Sequence, residues 1–257
     1  MANNDTIKKT ITVALLLCIV CSVVVSTASV VLKPAQAANK LLDFNRNILA
    51  AAGLLEESKS VDEQFALIET KIVDLTTGSF SEAIDVSAFD QRKSVKDPAL
   101  SDSLSSEDDI AGLSRREKFA KVYLVKGDSG LETVILPISG YGLWGTMYGF
   151  LAVGSDMNTV VGLGFYDHKE TPGLGAEIDN PRWKALWSGK NIYAVDGSVK
   201  VSVIKGSVAP GSPGAQYKVD GLSGATLTSV GVDNMMKFWL GENGYGPFLN
   251  KLKAGEA

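Results

Sequence analysis

The chain begins with an apolar run, residues 11–32, that contains no charged side chain. At about 1.5 Å of rise per residue, a helix over this run is long enough to cross a hydrocarbon core of about 30 Å. A cleaved signal peptide is the alternative, because Lys8 and Lys9 precede the run and the small-x-small site Ala35-Gln36-Ala37 follows it. The run exceeds a typical signal-peptide apolar region, so the sequence predicts a tail at 1–10 and a retained transmembrane anchor at 11–32.

The segment between the anchor and residue 118 changes from helical to polar patterning. Apolar residues recur at helical spacing over 40–55, which predicts that the anchor helix continues outward until Gly53 interrupts it. Residues 56–117 are polar and charged, and 101–109 is their clearest hydrophilic stretch. The pattern therefore predicts a helical stalk and a polar region over 33–117, with 101–109 as a surface insertion or a partner-facing loop.

The remaining residues, 118–257, contain short strand-like and helix-like runs. Strand-like runs lie at 121–126, 132–138, 148–153, 160–166 and 199–204, and helix-like runs lie at 181–187 and 230–240. Asp179 or Asn180 is the expected cap of the first of these helices. Because strands and helices mix without a regular βαβ repeat, the predicted fold class is α+β: a single transmembrane helix followed by one soluble domain of mixed sheet and helices.

Charge and cysteine content exclude several function classes. The formal net charge of −4 argues against a nucleic-acid partner, which would call for a basic patch or stripe. Both cysteines, Cys18 and Cys21, lie inside the apolar run. Two thiols there lack the two further ligands that a closed zinc or iron–sulfur site needs. We therefore expect no metal site and expect the two cysteines to pack in the core or against lipid, with ligation of a cluster shared with another subunit as the alternative.

The turn 127–130 spells Gly-Asp-Ser-Gly, a tetrapeptide also found around the nucleophile of trypsin-like proteases. His168, the single histidine of the chain, follows Ser129. That protease family places its histidine well before its serine, so the order of the residues argues against a hydrolase. We expect 127–130 to be a hairpin turn and the chain to carry no catalytic residue of its own. His168 is expected to be a surface or structural residue, with proton transfer as the alternative.

The segment 220–229 holds the strongest candidate chemistry. It reads Asp-Gly-Leu-Ser-Gly-Ala-Thr-Leu-Thr-Ser and offers small residues followed by several hydroxyls at the expected start of a helix. Backbone N–H groups at such a helix start favour a phosphate group. The alternative is an ordinary turn and helix cap, for which serine, threonine and glycine are also the usual residues.

Two further loops are rich in glycine. Residues 140–145 alternate glycines with large apolar residues, which indicates a pocket wall. Residues 168–175 contain a proline and two glycines that fix a tight loop in which Leu174 projects. The Gly-x-Gly of this loop lacks the third glycine and the βαβ context of a dinucleotide fingerprint, so it gives no support for NAD binding.

Taken together, these pieces resemble the NqrC family, the covalent-FMN subunits of the bacterial Na⁺-translocating NADH:quinone oxidoreductases. The motif Asp-Gly-x-Ser-Gly-Ala-Thr is typical of proteins that carry FMN in phosphodiester linkage to its threonine, which is Thr226 in this chain. The other matching pieces are the anchor, 123–125, 142–144, 170–175, 223–229, 238–241 and 244–249. The related RnfG family of Rnf electron-transport complexes is the alternative; the long acidic region before the core and the Gly-Tyr-Gly-Pro-Phe-Leu ending favour the sodium pump.

The resemblance implies a set of cofactor-binding residues around covalent FMN. Thr226 is the expected attachment residue, with Ser223, Gly224, Ala225 and Thr228 around the phosphate. Leu143, Trp144 and Leu174 are expected to contact the flavin ring, with core packing as the alternative for Trp144 and Leu174. The loop residues Glu170, Thr171, Gly173 and Gly175 complete the set, and Glu170 and Thr171 either orient polar edges of the flavin or hold the loop. Asp220 is either read by the attaching enzyme or initiates a turn.

The resemblance also implies partners and a location. We expect a flavin transferase that uses FAD, other subunits of a membrane complex, and electron transfer towards quinone. Basic residues flank both ends of the apolar run and do not decide its orientation. The family places the soluble domain on the periplasmic side of the bacterial inner membrane, with a cytoplasmic tail at 1–10. A non-redox anchored adaptor without a cofactor is the remaining alternative.

Overall fold

The computed structural model describes residues 6–128 and 130–257. Its first helix, α1 (Ile7–Ala51), contains the apolar run and continues beyond it, as the spacing of apolar residues over 40–55 indicates. Gly53 then adopts a φ of 69°, a conformation that disfavours a side chain. Within the described residues, α1 is the one helix long and apolar enough to cross a membrane. The candidate cleavage site at 35–37 lies inside it, and positions 1–5 of the predicted tail lie outside the described residues.

Contacts divide the chain into two compact units, 1–44 and 45–257. The second unit is built from short strands and helices. Its strands, within the described residues, are β1 (Ile68–Asp74), β2 (Ser79–Phe80), β3 (Ser101–Ser103), β4 (Arg115–Glu117), β5 (Phe119–Gly127), β6 (Gly130–Tyr141), β7 (Thr146–Gly154), β8 (Val160–Asp167), β9 (Ser202–Val203) and β10 (Lys218–Val219). Its helices beyond the end of α1 are α2 (Val61–Phe65), α3 (Gln91–Ser94), α4 (Pro181–Ala185), α5 (Thr226–Leu240) and α6 (Gly246–Ala254).

A six-stranded antiparallel sheet in the order β2-β1-β5-β6-β7-β8 forms the centre of this unit. Successive side chains of each strand point to opposite faces of the sheet, and both faces are buried. Helix α5 covers one face: Trp239 Nε1 donates a hydrogen bond to Ser139 O at 2.7 Å. A Cβ built on Gly140 would lie 2.7 Å from the Met235 Cβ, so α5 approaches the end of β6 closely.

The last turns of α1 cover the opposite face of the sheet. A Cβ built on Gly162 of β8 would lie closer than 3.0 Å to the Ala51 carbonyl oxygen, which no real side chain tolerates. Gly162 pairs with Ala152, Ala152 with Ile135, and Ile135 with Tyr123, so these residues share one face of the sheet. The end of α1 therefore belongs to the core of the second unit, where Ile48 and Leu49 are fully buried.

The structure confirms the α+β class and corrects several details. Residues 68–74, inside the segment expected to be polar and outside the core, form β1, which pairs with both β2 and β5. The stretch 101–109 contains the short strand β3, whose Ser101 is buried. The run 199–204 is a strand only over Ser202–Val203. Gly127 and Gly130 pair across the expected hairpin, and Ser129 lies outside the described residues.

Candidate functional site

Helix α5 begins at Thr226, four residues earlier than the helix-like run predicted. Ala225 is its N-cap residue, and no side chain caps the helix there. Gly224 has a φ of 74°, which suits glycine and turns the chain sharply into the helix. Ser223, Gly224 and Thr226 are exposed. The loop thus presents the Thr226 hydroxyl at a helix start whose first N–H groups have no capping side chain.

Hydrogen bonds on the inner side of this loop hold it in place. Ser229 Oγ accepts the N–H of Leu222 at 2.9 Å and donates to the Ala225 carbonyl oxygen at 3.1 Å. Asp220 Oδ1 accepts the N–H of Val208 at 2.8 Å, and the Asp220 carbonyl oxygen accepts the indole N–H of Trp183 at 2.8 Å. These contacts give Asp220 and Ser229 a role in shaping the loop. The sequence motif includes Ser229 but indicates no role for it.

The Glu170 carboxylate links three segments at this site. Its Oε1 accepts the backbone N–H groups of Leu143 and Trp144, each at 3.0 Å, and its Oε2 accepts the hydroxyl of Thr228. Glu170 is 5 % exposed and Thr228 is 1 % exposed. Of the two roles expected for Glu170, the contacts support holding the loop. They also direct the Thr228 hydroxyl to Glu170 in the protein interior.

Three predicted ring-contact residues are exposed rather than packed in the core. Leu143 is 42 %, Trp144 60 % and Leu174 45 % accessible. The Leu174 Cδ2 lies 3.1 Å from a Cβ built on Gly224, so Leu174 sits beside the threonine loop. Exposed large apolar side chains are informative when they cluster. Further exposed apolar side chains that sequence reasoning missed lie on neighbouring positions: Tyr141, Leu227 and Val230. The helical spacing of Leu227 and Val230, at i and i+3, is the signal that could have found them.

The loop 168–175 is tightly folded on itself. The Thr171 carbonyl oxygen accepts the N–H groups of Leu174 and Ala176, each at 3.1 Å. Thr171 and Gly173 are exposed on the outer side of this turn, whereas Gly175 is buried beside Glu170. His168 Nδ1 accepts the N–H of Glu170 at 3.1 Å, and its Nε2 lies 2.7 Å from Asp179 Oδ2. One ring nitrogen thus contacts the loop and the other contacts Asp179 beyond it, which supports a structural role for His168.

Thr228, expected near the phosphate, is instead buried with its hydroxyl bonded to Glu170. Through Glu170 the structure connects the 142–144 turn, the 168–175 loop and the start of α5, and these segments carry the predicted site residues. The family model of the FMN-binding domain matches residues 142–241, which include each of them. The C subunit of the Na(+)-translocating NADH-quinone reductase of Pseudomonas aeruginosa is 55 % identical over the full length of both chains. The chain belongs to the NqrC family. The NqrC proteins of Pasteurella multocida and Vibrio alginolyticus are 49 % and 47 % identical; each covers at least 98 % of this chain and 97 % of its own length.

Solved structures of the NqrC family share the fold. Shewanella oneidensis NqrC superposes with a TM-score of 0.77 at 36 % identity, covering 84 % of this chain and 99 % of its own. The NqrC protein of Parabacteroides distasonis superposes with a TM-score of 0.65 at 32 % identity, covering 85 % of this chain and 96 % of its own. Membership in this family, a subunit of an oxidoreductase complex, and the single long apolar helix fit a membrane-anchored protein.

Proposed function

We propose that this chain is an electron carrier in which FMN is joined through its phosphate to the hydroxyl oxygen of Thr226. The observation that carries the proposal is the exposed Thr226 at the uncapped start of α5, inside the matched FMN-binding domain. The N–H groups of a helix start favour a phosphate both by direct hydrogen bonding and through the helix dipole. The alternative, an ordinary helix cap, is disfavoured because Ala225 has no side-chain oxygen with which to cap.

The residues around Thr226 fit the two chemical halves of FMN. The exposed hydroxyls of Ser223 and Thr226 lie at the polar helix start, where a phosphate group belongs. Leu143, Trp144 and Leu174 expose apolar surface nearby, as a flavin ring requires. The site therefore offers an anion-binding end and an apolar wall within one cluster of loops.

Attachment needs a second protein, because a threonine hydroxyl is a weak nucleophile at neutral pH. In the proposed reaction a flavin transferase supplies FAD. A bond forms between the Thr226 oxygen and the phosphorus of the FMN half, the pyrophosphate bond of FAD breaks, and AMP leaves. The hydroxyl proton goes to a base of the transferase. The exposure of Thr226 makes its oxygen accessible to such an enzyme in the folded chain.

Once attached, FMN supplies the redox chemistry by accepting and releasing electrons, and the chain supplies binding and orientation. The tether keeps the flavin at high effective concentration, so its ring does not need tight non-covalent binding. Leu143, Trp144 and Leu174 restrict the ring and exclude water from one side of it. No side chain of this protein transfers a proton in this scheme.

The names of the relatives place NqrC in a Na(+)-translocating NADH-quinone reductase. We extend this assignment to the present chain: it assembles with the other subunits and passes electrons towards quinone. The helix α1 anchors it as a single span in the bacterial inner membrane, with the flavin domain on the periplasmic side. Residues 11–32 contain no carboxylate, so a sodium path belongs to other subunits of the complex.

The test is the intact mass of the full chain after co-expression with a flavin transferase. We expect a mass increase equal to FMN less one water, together with flavin fluorescence of the band in a denaturing gel. Thr226→Val should abolish both signals because it removes the acceptor oxygen and keeps a similar shape. Ser207→Ala is the matched control, since it removes an exposed hydroxyl outside the segment 220–229 and should leave the linkage intact.

Two results would contradict the proposal. An unmodified wild-type chain, with the transferase shown to be active on another substrate, would refute the covalent carrier and favour the anchored adaptor. Retention of flavin in Thr226→Val, with loss in another hydroxyl variant, would refute the site while keeping the cofactor.

A further inference from the structure

Glu170 and Glu117 are the two acidic residues that are buried in the described part of the chain. Glu117 lies in β4, whereas Glu170 lies between the two loops that frame the candidate flavin site. The Glu170 carboxylate accepts three hydrogen bonds from donors of other segments: two N–H groups of the 142–145 turn and the hydroxyl of Thr228 in α5. A buried carboxylate in such a setting is stable only when its acceptors are satisfied.

We infer that Glu170 is a positioning residue of the flavin site: its carboxylate fixes the Leu143–Trp144 turn against the first turn of α5. The inference rests on the proposed function, in which the Leu143–Trp144 turn contacts the flavin ring and the first turn of α5 carries the covalent linkage. Leu143 and Trp144 belong to the apolar wall, and Thr228 lies two residues after Thr226. Glu170 itself is 5 % exposed, so it acts through these groups and does not need to touch the flavin.

Two glycines make room for this carboxylate. A Cβ built on Gly142 would lie 2.5 Å from Glu170 Oε1. A Cβ built on Gly175 would lie 2.5 Å from Glu170 Oε2 and 2.5 Å from the Thr228 hydroxyl oxygen. Any larger residue at either position would displace the carboxylate or its partner. Gly142 and Gly175 are therefore required because a side chain there would collide with the Glu170 carboxylate, whereas Gly173 has a φ of 74°, which favours glycine through its backbone conformation.

A third glycine holds the two sides of the link together. A Cβ built on Gly231 of α5 would lie closer than 3.0 Å to the Tyr141 carbonyl oxygen and 3.2 Å from the Gly142 Cα. The backbone of α5 therefore contacts the backbone at the end of β6, next in sequence to the turn whose N–H groups bond to Glu170. The hydrogen bonds of Glu170 fix the orientation of the turn on this close contact, because two N–H groups and one hydroxyl from different segments converge on one carboxylate.

Conservative and non-conservative variants separate hydrogen bonding from charge. In Glu170→Gln the amide oxygen can still accept both N–H groups and the amide nitrogen can donate to the Thr228 hydroxyl oxygen. Glu170→Ala removes all three bonds and leaves the N–H groups of Leu143 and Trp144 without that acceptor. Thr228→Val removes one bond alone. We therefore expect Glu170→Gln to behave as wild type, Thr228→Val to be intermediate, and Glu170→Ala to be the most affected.

The experiment measures the mobility of the flavin in the full chain loaded by co-expression with the transferase. Fluorescence anisotropy of the attached flavin reports its freedom, and iodide quenching reports its exposure. In Glu170→Ala we expect the anisotropy to fall and the quenching constant to rise several-fold, with the covalent mass retained. Glu117→Ala is the matched control, because it removes the other buried carboxylate and should lower the melting temperature without changing either flavin signal.

Each alternative result overturns the inference in a recognisable way. Unchanged anisotropy and quenching in Glu170→Ala would show that the link does not position the flavin. Equal changes in Glu117→Ala would show general loosening, and equal changes in Glu170→Gln would show that charge, not hydrogen bonding, matters. If Glu170→Ala fails to fold, an unchanged flavin in Thr228→Val overturns the inference. A wild-type chain without flavin refutes the proposed function itself. The intact mass of the wild-type chain, which then shows no FMN, distinguishes this result from a failure of the Glu170 inference alone.

Discussion

At the scale of single residues, the two buried glutamates show how differently a carboxylate can be accommodated. Glu170 accepts three hydrogen bonds. Glu117, which is 4 % exposed, accepts a hydrogen bond from the Gln91 side-chain amide at 2.6 Å and one from its own backbone N–H. Burial raises the pKa of Glu117 above its ordinary value of 4.5, and the bond from Gln91 and the charge of Arg116 only partly oppose this. At neutral pH the Glu117 carboxylate therefore destabilises the folded state.

The raised pKa of Glu117 predicts a pH-dependent gain in stability for Glu117→Gln. A carboxyl whose pKa is higher in the folded state stabilises the fold most below its unfolded pKa, near 4.5, and this contribution is lost as the pH rises. Each unit of pKa shift corresponds to about 1.4 kcal/mol. The difference in free energy of unfolding, variant minus wild type, should therefore grow in favour of Glu117→Gln between pH 4 and pH 8, measured by urea denaturation.

Glu69→Gln is the control for this experiment, with the opposite sign. The ion pair with Lys126 lowers the pKa of Glu69, so its carboxylate stabilises the fold above its ordinary pKa and this is lost as the pH falls. Glu69→Gln should therefore show no gain at high pH. A Glu117→Gln difference that stays constant across the range would contradict the assignment of a buried, destabilising charge.

At the scale of elements, close packing between backbones decides where helices meet the sheet. Helix α5 meets β6 at Gly140 and Gly231, and the end of α1 meets β8 at Gly162. Such contacts leave no space for even one methyl group, and overfilling a packed interior destabilises it. The end of a helix predicted as an anchor and stalk is thus part of the folded core.

Gly162→Ala tests the contact between α1 and the sheet. Its Cβ would lie closer than 3.0 Å to the Ala51 carbonyl oxygen, so α1 must shift and Ile48 and Leu49 must repack. We expect a loss of about 1–3 kcal/mol in the free energy of unfolding. Gly164→Ala is the matched control on the same strand, because its Cβ would meet the Ala51 Cβ at an ordinary 3.7 Å. Equal effects of the two variants in chemical denaturation would contradict the proposed docking of α1.

The same elements show what can be predicted from sequence. Strands β5 to β8 and the apolar run of α1 were predicted because each is a largely apolar run bounded by glycine or charged residues, with a length that suits a strand or a membrane span. Strand β1 was missed because Glu69, Thr70, Lys71 and Asp74 make it look polar, although Ile72 and Val73 are buried. The bond between Glu170 and Thr228 could not be predicted, since a contact between residues 58 positions apart is set by tertiary packing. Motif resemblance singled out Thr226, whereas local patterning alone left an ordinary cap open.

At the scale of the whole molecule, the two parts of α1 lie in different environments. Residues 11–32 of α1 are apolar and exposed, whereas Ile48, Leu49 and Ala51 are buried in the second unit. An exposed apolar helix surface of this length is costly in water and favourable in a bilayer. The continuity of the helix through 35–37 leaves the candidate cleavage site within regular structure. These features argue for a retained anchor rather than a removed signal peptide.

The retained anchor predicts the mass and the exposure of the mature chain in a bacterial host. The chain isolated from membranes should retain residues 11–32 in its intact mass, because those residues hold it in the bilayer. In spheroplasts, added protease should digest the domain that follows α1, since the proposed orientation places that domain in the periplasm, while a cytoplasmic marker protein stays intact. A mature chain that begins at Ala38 would establish a signal peptide instead. An intact anchor with a protease-resistant domain, digested only after lysis, would place the domain in the cytoplasm and reverse the proposed orientation.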